Sequence, residues 1–447
     1  MWIQGRNLQI CTHIRTTFNN ITKIWTRIVL PTKVVEPKEV TDTKHADLVC
    51  GPKRKVALLF AYLGAGYHGL ALNRGNRDIK TIEGALFEAL IKAKVVPENC
   101  LEDPKKMCYK SASRTDKGVS TCGQVASLKL RIADNVVDLI NSHLPANIVI
   151  LGVKRTTQGF NAQKHAIGRT YSYTLPTYAF ADGKNGAEDY HITPEKLKYI
   201  SSIMYRFKGT HSYHNFTSGK KMGETSAKRY ITDFYYEEPF LVEETQYMTC
   251  FIKGQSFMLH QIRKMMGLLI AMVSNHAGED HYVRAFSEPL EDIPKAPGTG
   301  LVLQQIHYDA YNKKFGSLHG GIEFDAQQQQ REFLKSKIMP SIYRENKEND
   351  SMRLWLETLE NHDYTGEKAR LQWQEINAAK SSSAISSEDV SKTETSNQNV
   401  ETAIEAEKPV DTNVHSQEPP IPPEKNLLPI EDPLEPSAKK TKTEAVS

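Results

Sequence analysis

The residues with the clearest chemical potential form the stretch Ser-Arg-Thr-Asp-Lys-Gly-Val-Ser at 113–120. Asp116 lies there between two cations, Arg114 and Lys117. Nearby positive charge favours an ionised carboxylate, which can act as a nucleophile or a base. Arginine and lysine side chains suit phosphate. The pattern predicts a carboxylate that works inside an anionic polymer, although Asp-Lys-Gly is also ordinary chemistry for a surface turn.

A second candidate site follows a short apolar run at 55–62. The glycines Gly64, Gly66 and Gly69 match the Gly-x-Gly-x-x-Gly pattern of dinucleotide-binding Rossmann folds, so an oxidoreductase is the rival function. In that fold the third glycine opens a helix whose N-terminus binds the pyrophosphate. Here residues 70–77 intervene, and the next predicted helix begins only at Thr81. The spacing therefore argues against a dinucleotide site.

Several motifs together resemble those of one protein family. The 113–120 stretch, followed by Gly-Gln-Val at 123–125, resembles the nucleophile motif of the TruA family of tRNA pseudouridine synthases, and is closest to its eukaryotic nuclear and mitochondrial branch. The segments at 62–69, 168–173, 207–217 and 257–265 also resemble that family. Ala71 stands where the family usually has Gln. The resemblance covers roughly residues 55–308.

The resemblance implies an isomerase that converts uridine to pseudouridine in tRNA. It implies Asp116 as the catalytic residue, Arg263 as the active-site arginine and Tyr171 as the ring that stacks on the uracil. We expect Arg114 to fill the gap left by the flipped nucleotide. The reaction includes no redox change and no transfer to water, so we expect neither a cofactor nor a metal ion. Whether Asp116 attacks the sugar, attacks the base or abstracts a sugar proton stays open, as does an RNA-binding protein of this fold without the reaction.

Physical reasoning supports a site role for Arg263 independently. The predicted helix at 257–273 is strongly apolar, and an unpaired buried guanidinium is costly. We therefore expect Arg263 to pair with Asp116, with snorkelling to the surface as the alternative. For His260, three residues earlier, we expect a structural hydrogen bond.

Contact with RNA is expected from a set of basic side chains that should follow the cleft. The set is Lys117, Arg169, Lys220, Lys221, Lys228 and Arg229. Each alone is more often a solvated charge, but together they predict a phosphate track. The expected partner is tRNA, recognised by shape and backbone, and messenger and small nuclear RNA stay open as further substrates.

The hydrophobic pattern predicts two successive strand–helix–strand halves. Predicted strands are at 55–62, 124–130, 148–154, 169–175, 231–236, 247–254 and 300–308, and predicted helices start at 81, 136, 194 and 257. These halves indicate an α+β fold. We expect two ferredoxin-like (RRM-like) lobes, whose mixed, mainly antiparallel sheets face a central RNA-binding cleft.

Composition sets the remaining bounds. The chain has 447 residues and a net charge of only +4, so its total charge is weak evidence for nucleic acid. Its six cysteines have no Cys-x-x-Cys spacing, which argues against a zinc site or a disulfide framework. No apolar run is long enough for a bilayer, so we expect no membrane association.

The domain boundaries follow from composition shifts. Residues 1–35 contain no Asp or Glu and resemble a mitochondrial targeting segment. The predicted segments after it are a linker at 36–54, a catalytic lobe at 55–165, a second lobe at 166–310, a partly helical extension at 311–376 and a disordered tail at 377–447. A basic cluster at 439–442 is a weak nuclear import signal. The expected location is the mitochondrion, the nucleus or both.

Overall fold

A computed structural model describes residues 52–182, except Arg74 and Arg77, and residues 189–390. Side chains are not described at 318–319 or beyond 378. The predicted targeting segment, most of the predicted linker and the basic cluster at 439–442 lie outside the described residues. The chain divides into two units after Ser381, and the first holds the whole sheet. In the second, the described part is the end of one helix.

The described strands form one ten-stranded sheet. They are β1 (Lys53–Tyr62), β2 (Lys110–Ser111), β3 (Ser120–Arg131), β4 (Ile148–Arg155), β5 (Gly168–Pro176), β6 (Gly209–Ser212), β7 (Lys228–Tyr236), β8 (Phe240–Val242), β9 (Thr245–Gly254) and β10 (Leu301–His307). The order is β4-β1-β3-β10-β5-β9-β7-β6, with β2 beside β3 and β8 beside β9. All pairs are antiparallel except β3 with β10.

The helices of the described residues lie between and after these strands. They are α1 (Ile82–Lys92), α2 (Val136–Asn141), α3 (Pro194–Arg206), α4 (Gln261–Val273), α5 (Glu279–Ser287), α6 (Asp309–His319), α7 (Gln327–Phe333), α8 (Met339–Glu348), α9 (Ser351–Glu360) and α10 (Glu367–Val390). The Thr81 and Thr193 side chains cap α1 and α3 by accepting from the backbone amides of Gly84 and Lys196, so these helices start where the sequence predicts. The strands and helices together confirm the predicted α+β fold class.

Several predicted boundaries differ from the structure, and β3 and β7, for example, begin at Ser120 and Lys228 instead of 124 and 231. Helix α4 begins at Gln261 instead of 257, because His260 has φ 64° and ψ −1°, which no right-handed helix contains. Strand β1 begins at Lys53, inside the predicted linker. Helix α10 continues to Val390, past the predicted start of the disordered tail at 377, because an established helix gains one hydrogen bond for each residue added.

The two halves of the sheet meet at a short seam between β3 and β10. Only Ser120 and Thr121 pair there, with Val302 and Leu303. The halves thus share one continuous sheet, while their division into two lobes stays a prediction.

Side chains from the C-terminal extension pack beside this seam. Phe333, Ile338 and Ile342 form a buried cluster with Cys122 and Val302. The Gln330 amide donates to the Cys122 carbonyl at 2.9 Å. The extension therefore supports the seam that joins the two halves.

The seam leaves no room for a side chain at Gly123, which gives a test. A Cβ at this position would lie 2.2 Å from the Gln304 carbonyl oxygen. We expect Gly123→Ala to lower the free energy of unfolding by about 1–3 kcal/mol, the usual cost of overpacking. Urea unfolding of the full chain measures it.

The matched control is Gly159→Ala, because a Cβ at Gly159 meets no atom within 4 Å. This control should stay within about 0.5 kcal/mol of the unmodified protein. Equal stability of the two variants would show that the seam is not tightly packed.

Candidate active site

The loop that carries Asp116 is held by the end of β1 and the loop after it. The Tyr62 hydroxyl lies 2.7 Å from the hydroxyl of buried Thr115. The Leu70 amide donates to the Thr115 carbonyl at 3.2 Å, and the Gly118 amide donates to the Tyr67 carbonyl at 3.3 Å. Contacts on both sides of Asp116 therefore fix its backbone.

The glycines that suggested a dinucleotide site allow this close approach. A Cβ on Gly64 would lie 2.3 Å from the Val119 carbonyl oxygen, and one on Gly69, which has φ 94°, would lie 2.8 Å from the Thr115 oxygen. Strand β1 is antiparallel to both of its neighbours, and the next α-helix begins at Ile82. The Rossmann alternative is therefore wrong, because that fold needs a parallel sheet and a helix at the third glycine.

Tyr171 lies on β5, between β9 and β10. Its hydroxyl lies 2.9 Å from the Ser113 hydroxyl, three residues before Asp116. Its ring packs edge-on against Phe257, with ring centres 5.3 Å apart. The phenol is buried, and burial raises its pKa despite the Ser113 bond and nearby Arg169. Tyr171 is therefore a protonated, firmly placed ring at neutral pH.

Arg263 lies in the first turn of α4 and is tied to one residue of the loop before β10. Its Nε donates to the Ala296 carbonyl at 2.7 Å, and its own carbonyl accepts from the Ala296 amide at 3.1 Å. Burial lowers the pKa of the guanidinium, whereas Tyr173 and Asp116 raise it. These contacts anchor the guanidinium at the wall of the cavity that Asp116 also lines, without a direct ion pair to that carboxylate.

The predicted ion pair between Asp116 and Arg263 is accordingly wrong for this structure. Among the described residues, a His260 ring nitrogen instead lies near this carboxylate, with Nε2 3.7 Å from the Asp116 Oδ2. The Ala296 carbonyl takes the Arg263 Nε instead. A backbone carbonyl relieves part of the cost of burying a guanidinium, so burial alone did not require a carboxylate.

These side chains line a single cavity of about 530 Å³. Its wall is built from both halves of the chain and includes Arg114, Asp116, Arg169, Tyr171 and Arg263. The structure thus brings together all the predicted catalytic and substrate-binding residues, with one member of the predicted phosphate track. In the parts of the chain described, no three His, Cys, Asp or Glu side chains are arranged to hold a metal ion.

The rest of the predicted phosphate track does not line the cavity. Lys220 bonds to Glu224 at 3.1 Å and to Ser226 at 2.7 Å. Arg229 donates to two carbonyls of its own loop. Lys117, Lys221 and Lys228 are exposed.

Arg169 reaches the cavity, but its guanidinium joins two segments of the wall. One terminal nitrogen donates to the Gln255 carbonyl at 2.9 Å, and the other donates to the Ala112 carbonyl at 3.1 Å. Burial lowers the pKa of its guanidinium. Arg169 therefore fits a structural clamp better than a phosphate contact.

Sequence reasoning gave no site role to several residues of the cavity wall, among them Lys105, Lys110, Phe257 and His260. Lys105 and Lys110 are exposed cations at the wall, whereas most of the predicted track lies elsewhere. The signal was present, because residues 104–110 contain three lysines just before the Asp116 motif.

Within the described residues no helix combines the length and apolar character required to cross a bilayer.

Comparisons with known proteins test the family resemblance. A family model described as tRNA pseudouridine synthase matches residues 203–309. The mouse protein named pseudouridylate synthase 1 homolog is 45% identical over 320 residues, which are 70% of this chain and 76% of that protein. The human protein of the same name is 45% identical over 316 residues, 69% of this chain and 74% of that protein.

A fungal relative extends the match. The Yarrowia lipolytica protein named tRNA pseudouridine synthase 1 is 34% identical over 389 residues, with 68% of this chain and 73% of that protein covered. The family resemblance seen in the motifs is therefore confirmed. Because the match spans most of each relative and is not confined to one motif, the chain belongs to the tRNA pseudouridine synthase family.

Proposed function

We propose that this protein isomerises uridine to pseudouridine in tRNA, and that the reaction takes place in the cavity around Asp116. The observation that carries the proposal is convergence. Asp116, Tyr171 and Arg263 come from a loop, a strand and a helix that are far apart in sequence, and they line one cavity. The names of the relatives support the same reaction and the same class of RNA.

The isomerisation of uridine requires few functional groups from the protein. The bond between N1 of the uracil and C1′ of the ribose breaks, the base turns, and C5 joins C1′. C5 then loses its proton and N1, freed from the sugar, gains one, so atoms and electrons balance without an oxidant or a hydrolytic step. The uridine must leave the stack, which costs a few kcal/mol and calls for a pocket that can hold the base.

The described side chains supply these needs. The Asp116 carboxylate is the nucleophile or base. The ring of Tyr171, backed by Phe257 and Ser113, offers a fixed surface for the uracil. Arg263, anchored to Ala296, keeps positive charge beside the carboxylate without closing on it. Arg114 is exposed at the rim, where it can occupy the place of the flipped nucleotide.

Release of tritium tests the function. Transfer RNA that carries tritium at C5 of uridine should lose label to water when the protein is added, because C5 gives up its hydrogen. An RNA-binding protein without the reaction would bind the tRNA and release nothing, and that result would contradict the proposal. Uridine-labelled messenger and small nuclear RNA in the same assay define the substrate range.

Asp116→Asn should abolish release while the dissociation constant for tRNA changes little. The amide keeps the shape of the side chain and removes the charge that does the chemistry. Single-turnover rates and filter binding measure the two quantities. A residual rate within about tenfold of the unmodified protein would remove Asp116 from the catalytic role, since loss of a chemically essential group costs far more.

Arg263→Lys should lower the single-turnover rate by at least about tenfold although the charge is kept, because an ammonium group cannot reproduce the planar, anchored guanidinium. Arg206→Lys is the matched control, since Arg206 pairs with Glu279 on the surface, outside the cavity. The salt dependence of tRNA binding should not change in either variant. A reduced salt dependence in Arg263→Lys would instead place this residue on a phosphate.

The cations of the cavity wall can be compared with those of the predicted track. We expect Lys105→Ala with Lys110→Ala to reduce the slope of log affinity against log salt by about 1.5, as loss of two phosphate contacts would. Lys220→Ala with Lys221→Ala should change the slope less, because Lys220 is already paired with Glu224. The rate at saturating tRNA should be preserved in both.

If Lys220→Ala with Lys221→Ala reduced the salt slope more than Lys105→Ala with Lys110→Ala, the RNA would cross residues 220–229, as the sequence alone predicts.

A further inference from the structure

His260 is the one strained residue of the cavity wall. Among the described residues, six that are not glycine have positive φ, and of these only His260 lines the cavity. A residue with a side chain is destabilised by adopting this conformation, whereas glycine is not. Such strain persists where the surroundings impose it, and it concentrates at functional sites.

The surroundings of His260 do impose it. The next residue, Gln261, is fully buried. Its amide donates to the Met258 carbonyl at 3.2 Å, and its side-chain oxygen accepts from the Met258 amide at 2.9 Å. The His260 carbonyl accepts from the Lys264 amide within α4. The turn before α4 is thus closed from both sides and directs the imidazole into the cavity.

The ring lies against the reacting carboxylate. Its Nε2 is 3.7 Å from the Asp116 Oδ2, and each side chain keeps about a quarter of its surface exposed, 24% for His260 and 27% for Asp116. Hydrogen bonds of catalytic groups are often long in unbound enzymes and shorten with substrate. A small movement of either side chain would complete this one.

Burial and the surrounding charges decide the protonation of the ring. Burial opposes the imidazolium most strongly and holds the pKa of His260 below its usual value. Asp116 faces the ring from the loop before β3 and raises that pKa, while Lys295 from the loop before β10 and Arg263 and Lys264 from α4 lower it. At neutral pH the ring is uncharged and can donate one N–H.

We propose that His260 is a positioning residue for Asp116, whose uncharged imidazole holds the carboxylate toward the uridine and leaves its full negative charge available. This rests on the proposed function of the cavity. A charged imidazolium would pair with Asp116 and weaken it as a nucleophile or base. Because the pKa of His260 lies below 6.5, the rate should fall when the pH is lowered below 6.5 and passes through that pKa.

The test compares His260→Gly and His260→Asn with the unmodified full chain. Glycine relieves the backbone strain, and asparagine tolerates the same φ. We expect both variants to keep their melting temperature and their tRNA affinity. Their single-turnover release of C5 tritium should fall by between about tenfold and a hundredfold, the cost of a misplaced reacting group. The fall in rate below pH 6.5 should be absent from the pH–rate profiles of both variants. Added imidazole should restore part of the rate of His260→Gly.

Lys94→Gly is the matched control, because Lys94 has φ 55° and is exposed at the end of α1, outside the cavity. It should keep the full rate. An unchanged rate in both His260 variants would overturn the proposal. So would a rate loss that comes with weaker tRNA binding or a lower melting temperature. A pH–rate profile that still falls below pH 6.5 in these variants would also overturn it. Tritium release by the unmodified protein separates these results from failure of the proposed function, which would leave no activity to compare.

Discussion

One residue of β10 links the two halves of the active site. Leu303 pairs with Thr121 of β3 on one side and with Tyr171 of β5 on the other. The Thr121 hydroxyl, which is fully buried, donates to the Leu303 carbonyl at 2.7 Å. A slip of one residue in this register would turn Tyr171 to the opposite face of the sheet. The distance between the Asp116 loop and the Tyr171 ring therefore depends on this pairing.

Asp116 lies on a loop that this frame holds at close range, whereas Arg263 lies on α4. Gly64 and Gly69 let the chain after β1 touch the Asp116 loop, and the paired contacts between Arg263 and Ala296 hold the loop before β10 against α4. Loops placed by a rigid sheet are a common arrangement for catalysis. Here it allows a carboxylate to remain partly exposed for RNA while its neighbours stay fixed.

Much of this was predictable from the sequence because it is local. The apolar run of β1, the capped starts of α1 and α3 and the Asp116 motif are all read from neighbouring residues. The proximity of His260 to Asp116 is not local, since it depends on a strand register far from both. The start of α4 was misplaced for a related reason: residues 257–259 are apolar as in a helix, but they line the cavity.

The same limit explains the phosphate track. Clusters such as Lys220 with Lys221 are conspicuous in sequence, but a lysine four residues from Glu224 is satisfied locally. Lys105 and Lys110 are less conspicuous, yet both line the cavity: β2 places Lys110 beside β3, and Lys105 lies in a short 3-10 helix just before β2.

The central claim is that a uridine enters the cavity shared by the two halves and reacts beside Asp116. The most direct measurement is a crystal structure of the Asp116→Asn protein bound to tRNA, in which binding is kept and turnover is stopped. The account predicts one uracil out of the stack, its face against Tyr171 and its sugar beside Asn at position 116. A tRNA bound with its uridines stacked, or bound away from this cavity, would contradict it.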